Sequence, residues 1–272
     1  MSNPSKICVP FNQALAADLK EIRGVCLDID DTLSTEGKLT AEAYQALWKL
    51  KRAGFFVVPI TGRPAGWCDH IARFWPVDAV VGENGAFSFY LDGNIRKRME
   101  TPAGKSPEML KKNLAELSLK IKNQFPEAVW ASDQAYREYD LAIDICEDVK
   151  PWPPQRTEEL LAFCQAQGAQ AKLSSIHVNT WFGNYNKNDG LNYLLESKTL
   201  PLPEAHSRWL YIGDSPNDEP MFEAFSHSVG VANIQKYLPR FKFPPRWITQ
   251  HESGSGFSEM VEHLLKQRGF SH

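Results

Sequence analysis

Apolar and polar positions follow two different rhythms along this chain. From Gly24 to about Ala86, short unbroken apolar runs alternate with longer stretches of helical period. GVCLDI (Gly24–Ile29) and FFVVPI (Phe55–Ile60) have strand length and no internal alternation, the pattern of strands covered on both faces. Between them Thr40 opens a helical stretch with Tyr44, Leu47, Trp48 and Leu50 on one side and Gly54 as its stop. A second helical stretch runs through Trp75 into a third strand, VDAVV (Val77–Val81). The same grammar returns late in the chain. RWLYIGD is followed by a loop and helix in SPNDEPMFEAF, by the strand SVGVA, and by a last helix with Phe257, Met260, Val261 and Leu264 at helical spacing. Strand and helix in alternation predict an α/β fold, a doubly wound parallel sheet with right-handed crossovers.

The middle of the chain, from about Ala86 to Asn184, changes rhythm. In DLAIDIC, Leu141, Ile143 and Ile145 fall on one face and Asp140 and Asp144 on the other. In SSIHVNTWF, Ile176, Val178, Thr180 and Phe182 oppose Ser175, His177, Asn179 and Trp181. Helical stretches are expected at 107–124 and 156–167. An alternating sheet with helices on its apolar face is an α+β layer. The organisation expected is a core of residues 1–86 and 185–272, interrupted by an inserted α+β domain at 87–184. The opening residues, MSNPSKICVPFNQALAADLK, lack an apolar run of leader length and read as a short tail.

Composition narrows the partners. The 272 residues carry 30 Lys and Arg against 33 Asp and Glu, a net charge of −3, without the basic excess of a nucleic-acid binder. No stretch approaches the roughly 18–20 consecutive apolar residues of a membrane-spanning helix. Five scattered cysteines without a CxxC pair argue against a disulfide or zinc framework and suit reduced thiols in a cytoplasm. The chain is expected to act as monomer or homodimer. The WCDH run at Trp67–His70 reads as packing, since His70 has no second ligand at useful spacing.

In open parallel sheets ligands sit beyond the carboxyl ends of the strands. The first strand ends in Asp28-Ile29-Asp30-Asp31-Thr32, and the second in Thr61-Gly62-Arg63. After the insertion comes Lys187, in NYNKNDG, and the late strand ends in Gly213-Asp214-Ser215-Pro216-Asn217-Asp218. Each piece alone is ordinary: a turn, a strand exit, a surface lysine, a capped helix start. Their joint occurrence in this order is not. Asp28, Asp30, Asp214 and Asp218 at one edge would repel one another unless a cation shared them. A ligand set of oxygens alone favours a hard ion such as Mg2+. Thr61 and Lys187 beside it would suit a phosphoryl group, with Asp28 as carboxylate nucleophile and Asp30 as general acid and then base.

DIDDT, TGR, the isolated Lys187 and GDSPND resemble the four motifs of the haloacid dehalogenase-like hydrolases, nearly end to end. GENGA (Gly82–Ala86) resembles the Cof-type, or type IIB, branch, which includes many sugar-phosphate phosphatases. Only 32 residues lie between Asp28 and Thr61, whereas 125 lie between Thr61 and Lys187, which sets the extra domain between the second and third motifs. The resemblance implies a Rossmann-like core in which Asp28 forms an aspartyl-phosphate and Asp30 protonates the departing alcohol and then activates water. It further implies Mg2+ held by the Asp28 carboxylate, the Asp30 backbone carbonyl and Asp214, with Asn217 and Asp218 completing or supporting that shell. Thr61 and Lys187 would bind the phosphoryl oxygens. The usual motif carries Gly where this chain has Asp31.

The inserted domain is expected to choose the ester. If its sheet covers the site, the polar strand faces look down, and Asp140, Asp144, Ser175, His177, Asn179 and Trp181 become the candidate selectors, suited to a sugar or polyol leaving group. The competing expectation is a polar face that is simply solvated. Arg63 is a further candidate for phosphate or for carboxylates of the insertion, and Asn84 for the substrate. The function expected is a Mg2+-dependent phosphatase of a small phosphorylated metabolite. Its alternatives are a phosphomutase or phosphotransferase on the same scaffold, a phospho-acceptor domain, and a non-catalytic phosphate-binding protein.

Overall fold

The computed structural model describes residues 8–101, 107–203 and 205–270. The chain divides into two compact units: residues 1–60, 76–79 and 194–272 form the first, and residues 61–75 and 80–193 the second.

The first unit is built on a six-stranded sheet in which every pair is parallel. Across the sheet the strands run Val9–Pro10, Trp247–Ile248, Ser228–Gly230, Trp209–Gly213, Gly24–Leu27 and Phe56–Pro59. From Gly24–Leu27 the chain first adds Phe56–Pro59 on one side and later adds Trp209–Gly213, Ser228–Gly230 and Trp247–Ile248 on the other, where the earlier Val9–Pro10 forms the edge. The order therefore reverses between Gly24–Leu27 and Trp209–Gly213, the switch point at which such sheets bind ligands. Register there is Trp209 against Gly24 and Tyr211 against Cys26. Gly24 is required by that register, because a Cβ would run into the Trp209 indole.

Helix Ala41–Arg52 starts where expected, the Thr40 hydroxyl accepting the Ala43 N–H at 3.2 Å. Its buried stripe is Ala43, Ala46, Leu47 and Leu50, packed against helix Ser253–Gln267. Tyr44 is half-buried and Trp48 is 42% exposed, so the apolar side expected from sequence is rotated by about one position. Small alanines, not the large aromatics, permit the close helix–helix approach. The opening segment also departs from the expected tail. Residues 1–7 lie outside the described residues, but Val9–Pro10 pairs with Trp247–Ile248, and Phe11 is buried edge-on against Trp247 with ring centroids 5.7 Å apart.

The second unit contains an antiparallel sheet in the order Val129–Trp130, Asp140–Asp144, His177–Trp181 and Gln170–Leu173. Helices Pro107–Gln124 and Pro154–Ala166 pack on it, burying Ile143, Val178, Leu160 and Cys164. The expected third parallel strand is Ala79–Gly82, grouped with the hairpin Phe87–Asp92 and Ile95–Glu100 in a three-stranded sheet. The turn at Glu83, Asn84 and Gly85, all at positive φ, redirects the chain into that hairpin. No helix among the described residues is long and apolar enough to cross a membrane.

Candidate active site

In the first unit two strand ends meet at the switch point. The Asp28 N–H donates to Ile212 O at 2.9 Å, so the first acid is held against the strand that carries the second, Asp214. Beyond Asp28 the chain turns tightly, with the N–H groups of Leu33 and Ser34 both donating to Ile29 O. Asp31 makes that turn at φ 54 and donates its N–H to Ser34 Oγ at 3.2 Å. A left-handed position suits Gly first and Asp or Asn next, which accounts for the acid where the family motif has glycine.

Carboxylate oxygens of Asp28, Asp214 and Asp218, all buried, lie within 4.8 Å of one another. Three buried carboxylates this close would repel strongly unless protonated or bridged, and a donor set of oxygens alone fits a hard divalent cation. Asp214 is steadied by Thr32 Oγ1, which donates to its Oδ1 at 3.4 Å. Asp218 accepts the Tyr211 hydroxyl on Oδ1 at 2.5 Å, and the N–H groups of Asp214 and Ser215 on Oδ2 at 2.9 and 3.1 Å. Asn217 accepts the Ser215 hydroxyl on Oδ1 at 2.8 Å. Burial, and after it the charges of Asp218 and Asp28, push the Tyr211 phenol well above its ordinary pKa, which keeps it a donor. Asp30 is half-buried in the same turn as Asp28.

Thr61, Arg63, Asn84, Asp144, His177, Asn179 and Lys187 all belong to the second unit. Thr61 is buried, its N–H donating to Val81 O and its carbonyl accepting the Asn84 N–H at 3.0 Å. Gly62 is flanked by the side chains of Asn84 and Asn179, which a Cβ would meet at 3.2 and 3.5 Å. Lys187 is buried at the start of helix Lys187–Glu196, which Asn186 caps by accepting the N–H groups of Asn188 and Asp189. That helix approaches the turn at 83–85 so closely that a Cβ on Gly190 would strike Gly85 backbone.

The polar face of the antiparallel sheet is not solvated. His177, Asn179, Asp140 and Asp144 are all at most 2% exposed. Asn179 Nδ2 donates to Asp140 Oδ2 at 2.8 Å, and Asp140 is paired with Arg137. Arg63 pairs with Asp133 at 3.1 Å and Glu147 at 2.6 Å and lies over the Trp67 ring. His177 Nε2 meets the same Glu147 at 2.9 Å. Burial alone would raise the Glu147 carboxyl, but hydrogen bonds from His177 and Arg63 outweigh it and hold the group at about 2. Asp144 accepts the N–H groups of Cys146, Glu147 and Asp148, so its carboxylate shapes the turn that presents Glu147.

Several residues of these two sites escaped the sequence reading. Asn233 donates to Asp31 O at 3.0 Å and to Asp214 Oδ2 at 3.4 Å, and accepts the Ser253 N–H at 3.0 Å. Its position just beyond the strand end Ser228–Gly230, another carboxyl edge of the sheet, is the signal that could have found it. Asp133, Arg137 and Glu147 lie in irregular segments where periodicity carries no information. Glu83 accepts the N–H groups of Ala65, Glu138 and Tyr139. Its burial, then the charge of Asp140, raise its carboxyl to about 8.

This arrangement of strand ends and buried acids defines a class. A profile of the haloacid dehalogenase-like hydrolases matches residues 25–134 and 151–242, and the chain belongs to that family. It is an enzyme, a hydrolase of the phosphatase kind. Phosphoglycolate phosphatase 1 of Saccharolobus solfataricus is 25% identical over 249 residues, 90% of this chain and 96% of that protein. Among solved structures, the sucrose-phosphatase of Synechocystis sp., in complex with sucrose and phosphate, is similar with a TM-score of 0.63 at 19% identity, covering 90% of this chain and 98% of that one. The C-terminal domain of trehalose-6-phosphate phosphatase from C. albicans is similar with a TM-score of 0.67 at 14% identity, covering 97% and 99%. These two likenesses concern the fold.

Proposed function

We propose that the protein is a Mg2+-dependent phosphatase acting on a small phosphorylated sugar or polyol. In this reading Asp28 attacks phosphorus and carries the phosphoryl group as an aspartyl-phosphate. Asp30 protonates the departing alcohol oxygen and then takes a proton from the water that releases phosphate. Thr61 donates a hydrogen bond, and Lys187 positive charge, to phosphoryl oxygens that gain charge in the transition state. Mg2+, held by the Asp28 carboxylate, the Asp30 backbone carbonyl and Asp214 with support from Asn217 and Asp218, would offset the repulsion between nucleophile and phosphoryl group. The observation that carries the reading is the buried meeting of Asp28, Asp214 and Asp218 at the switch point of the sheet. The sugar preference draws support from the fold shared with a sucrose-phosphatase and a trehalose-6-phosphate phosphatase. Arg63, Asn84, Asp144, His177 and Asn179 remain the candidates for shaping the leaving-group side, of which Asp144 acts through the turn it caps.

The test is phosphate release over a panel of sugar phosphates, polyol phosphates, phosphoglycolate and nucleotides, with Mg2+ and with a chelator. Release without an added acceptor, dependent on Mg2+ and fastest with a sugar or polyol ester, is expected; it also separates hydrolysis from transfer to a second hydroxyl. Asp28→Asn is expected to abolish turnover, and retained activity in that variant refutes the covalent route.

A further inference from the structure

We propose that Tyr211, which lies outside the four motifs, is a positioning residue of the metal centre: its hydroxyl fixes Asp218, and Asp218 fixes the Asp214 backbone. The proposal rests on the reading of Asp28 and Asp214 as cation ligands. Tyr211 is the middle residue of strand Trp209–Gly213 and is fully buried. A buried phenol that made no hydrogen bond would be costly, and this one has a charged acceptor at 2.5 Å, Oδ1 of Asp218. Its ring is fixed by Phe222, edge-on at 5.7 Å between centroids, and by Phe225 at 5.9 Å. Phe222 belongs to the short helix Glu219–Ala224 that Asp218 itself leads into, so strand, acid and helix are tied in one ring of contacts.

The other oxygen of Asp218 is equally committed, taking the N–H groups of Asp214 and Ser215. Gly213 leaves the space that this carboxylate fills, since a Cβ there would collide with Oδ2. Asp218 therefore works as a clamp on the peptide that aims Asp214, and the phenol sets the plane of the clamp. A carboxylate oxygen that accepts one hydrogen bond keeps a second lone-pair direction for a cation. Removing the hydroxyl leaves the ring packing intact and frees that plane, so the effect falls on cation affinity and not on ester recognition.

Tyr211→Phe tests this by Mn2+ binding, followed by electron paramagnetic resonance of the free ion, alongside KM for p-nitrophenyl phosphate at saturating Mg2+. The Mn2+ dissociation constant is expected to rise about fivefold to tenfold, part of the worth of one charge-assisted hydrogen bond, with KM moving less than about twofold. A dissociation constant that changes less than about threefold overturns the proposal, even if the melting temperature falls, because packing alone predicts that result. In an Asp218→Ala background, where the hydroxyl has lost its acceptor, the same replacement is expected to add less than about twofold, since the hydroxyl acts only through Asp218. A larger added effect refutes the proposal; if Tyr211→Phe does not fold, Phe222→Leu, which loosens the same ring without removing the hydroxyl, is expected to raise the Mn2+ dissociation constant at least about threefold, and an unchanged constant refutes the proposal. Wild-type protein that binds no Mn2+ would overturn the cation-site reading itself, an outcome distinct from unchanged affinity in Tyr211→Phe.

Discussion

Arg137→Met strikes the centre of the charge network buried in the second unit. The Arg137 side chain is fully buried and makes two ion pairs, with Asp133 through Nε at 2.9 Å and with Asp140 through Nη1 at 3.0 Å. Nη1 also donates to Gly62 O at 2.8 Å, which ties the turn after Thr61 to the segment before strand Asp140–Asp144. Methionine fills most of the volume but leaves the network one cation short. Asp133 still has Arg63, whereas Asp140 is left with the Asn179 amide as its strong donor. Removing one partner of a buried pair costs about 3–5 kcal/mol, against about 0–1 kcal/mol for an exposed pair. At roughly 2–4 °C per kcal/mol for a chain of this size, the melting temperature should fall by about 6–20 °C at pH 7. Calorimetry and urea unfolding measure it directly. Arg137→Met with Asp140→Asn, which removes the stranded charge as well, is expected to recover about 1–3 kcal/mol of the loss. A single-variant loss below about 1 kcal/mol would refute the claim that this polar face is a paired interior network.

Two further outcomes follow from the same geometry. Glu83, held at about 8 by burial and the charge of Asp140, keeps a proton when folded that it releases when unfolded above about 4.5, so stability should fall as pH rises from 5 to 8. Glu147, held at about 2, contributes in the opposite sense, its stabilisation being present above 4.5 and lost as pH falls toward 2. Glu83 is therefore expected to make melting temperature decline between pH 5 and 8, and in Glu83→Gln that decline should flatten; an unchanged slope would exclude Glu83 as its source. At Asp31, φ 54 makes glycine acceptable and a β-branched residue strained, so Asp31→Gly should keep stability within about 1 kcal/mol while Asp31→Val loses about 1–2 kcal/mol. Equal unfolding midpoints for the two variants would contradict that account.

The parallel sheet and its acidic rim were legible because both obey short-range rules. Unbroken apolar runs such as GVCL and WLYI specify doubly covered strands, and the acids at their ends lie where such sheets bind ligands. Helical spacing predicts stretches at 107–124 and 156–167, and the helices run Pro107–Gln124 and Pro154–Ala166. What periodicity could not supply was the partner of each polar residue. Asn179 and His177 look alike in an alternating strand, yet one binds an aspartate 39 positions away in sequence and the other a glutamate in a turn. Helical spacing puts Trp48 on one side with Tyr44, Leu47 and Leu50, whereas the stripe that is buried is Ala43, Ala46, Leu47 and Leu50. Asn233 and Tyr211 sit outside any motif; Asn233 lies just beyond a strand end, whereas Tyr211, in mid-strand, has its part in the acidic centre through tertiary contact alone.

Arg63 is separated by 70 and 84 positions from the acids it binds, so the second unit is not a cassette that can be lifted out at two cuts. A chimera that exchanges residues 87–184 with those of a relative would keep the host's arginine and import a stranger's carboxylates, while orphaning the acceptor that Gly62 offers Arg137. Exchanges of the second unit between such enzymes therefore have to carry the short stretch from Thr61 to Trp75 along with residues 80–193.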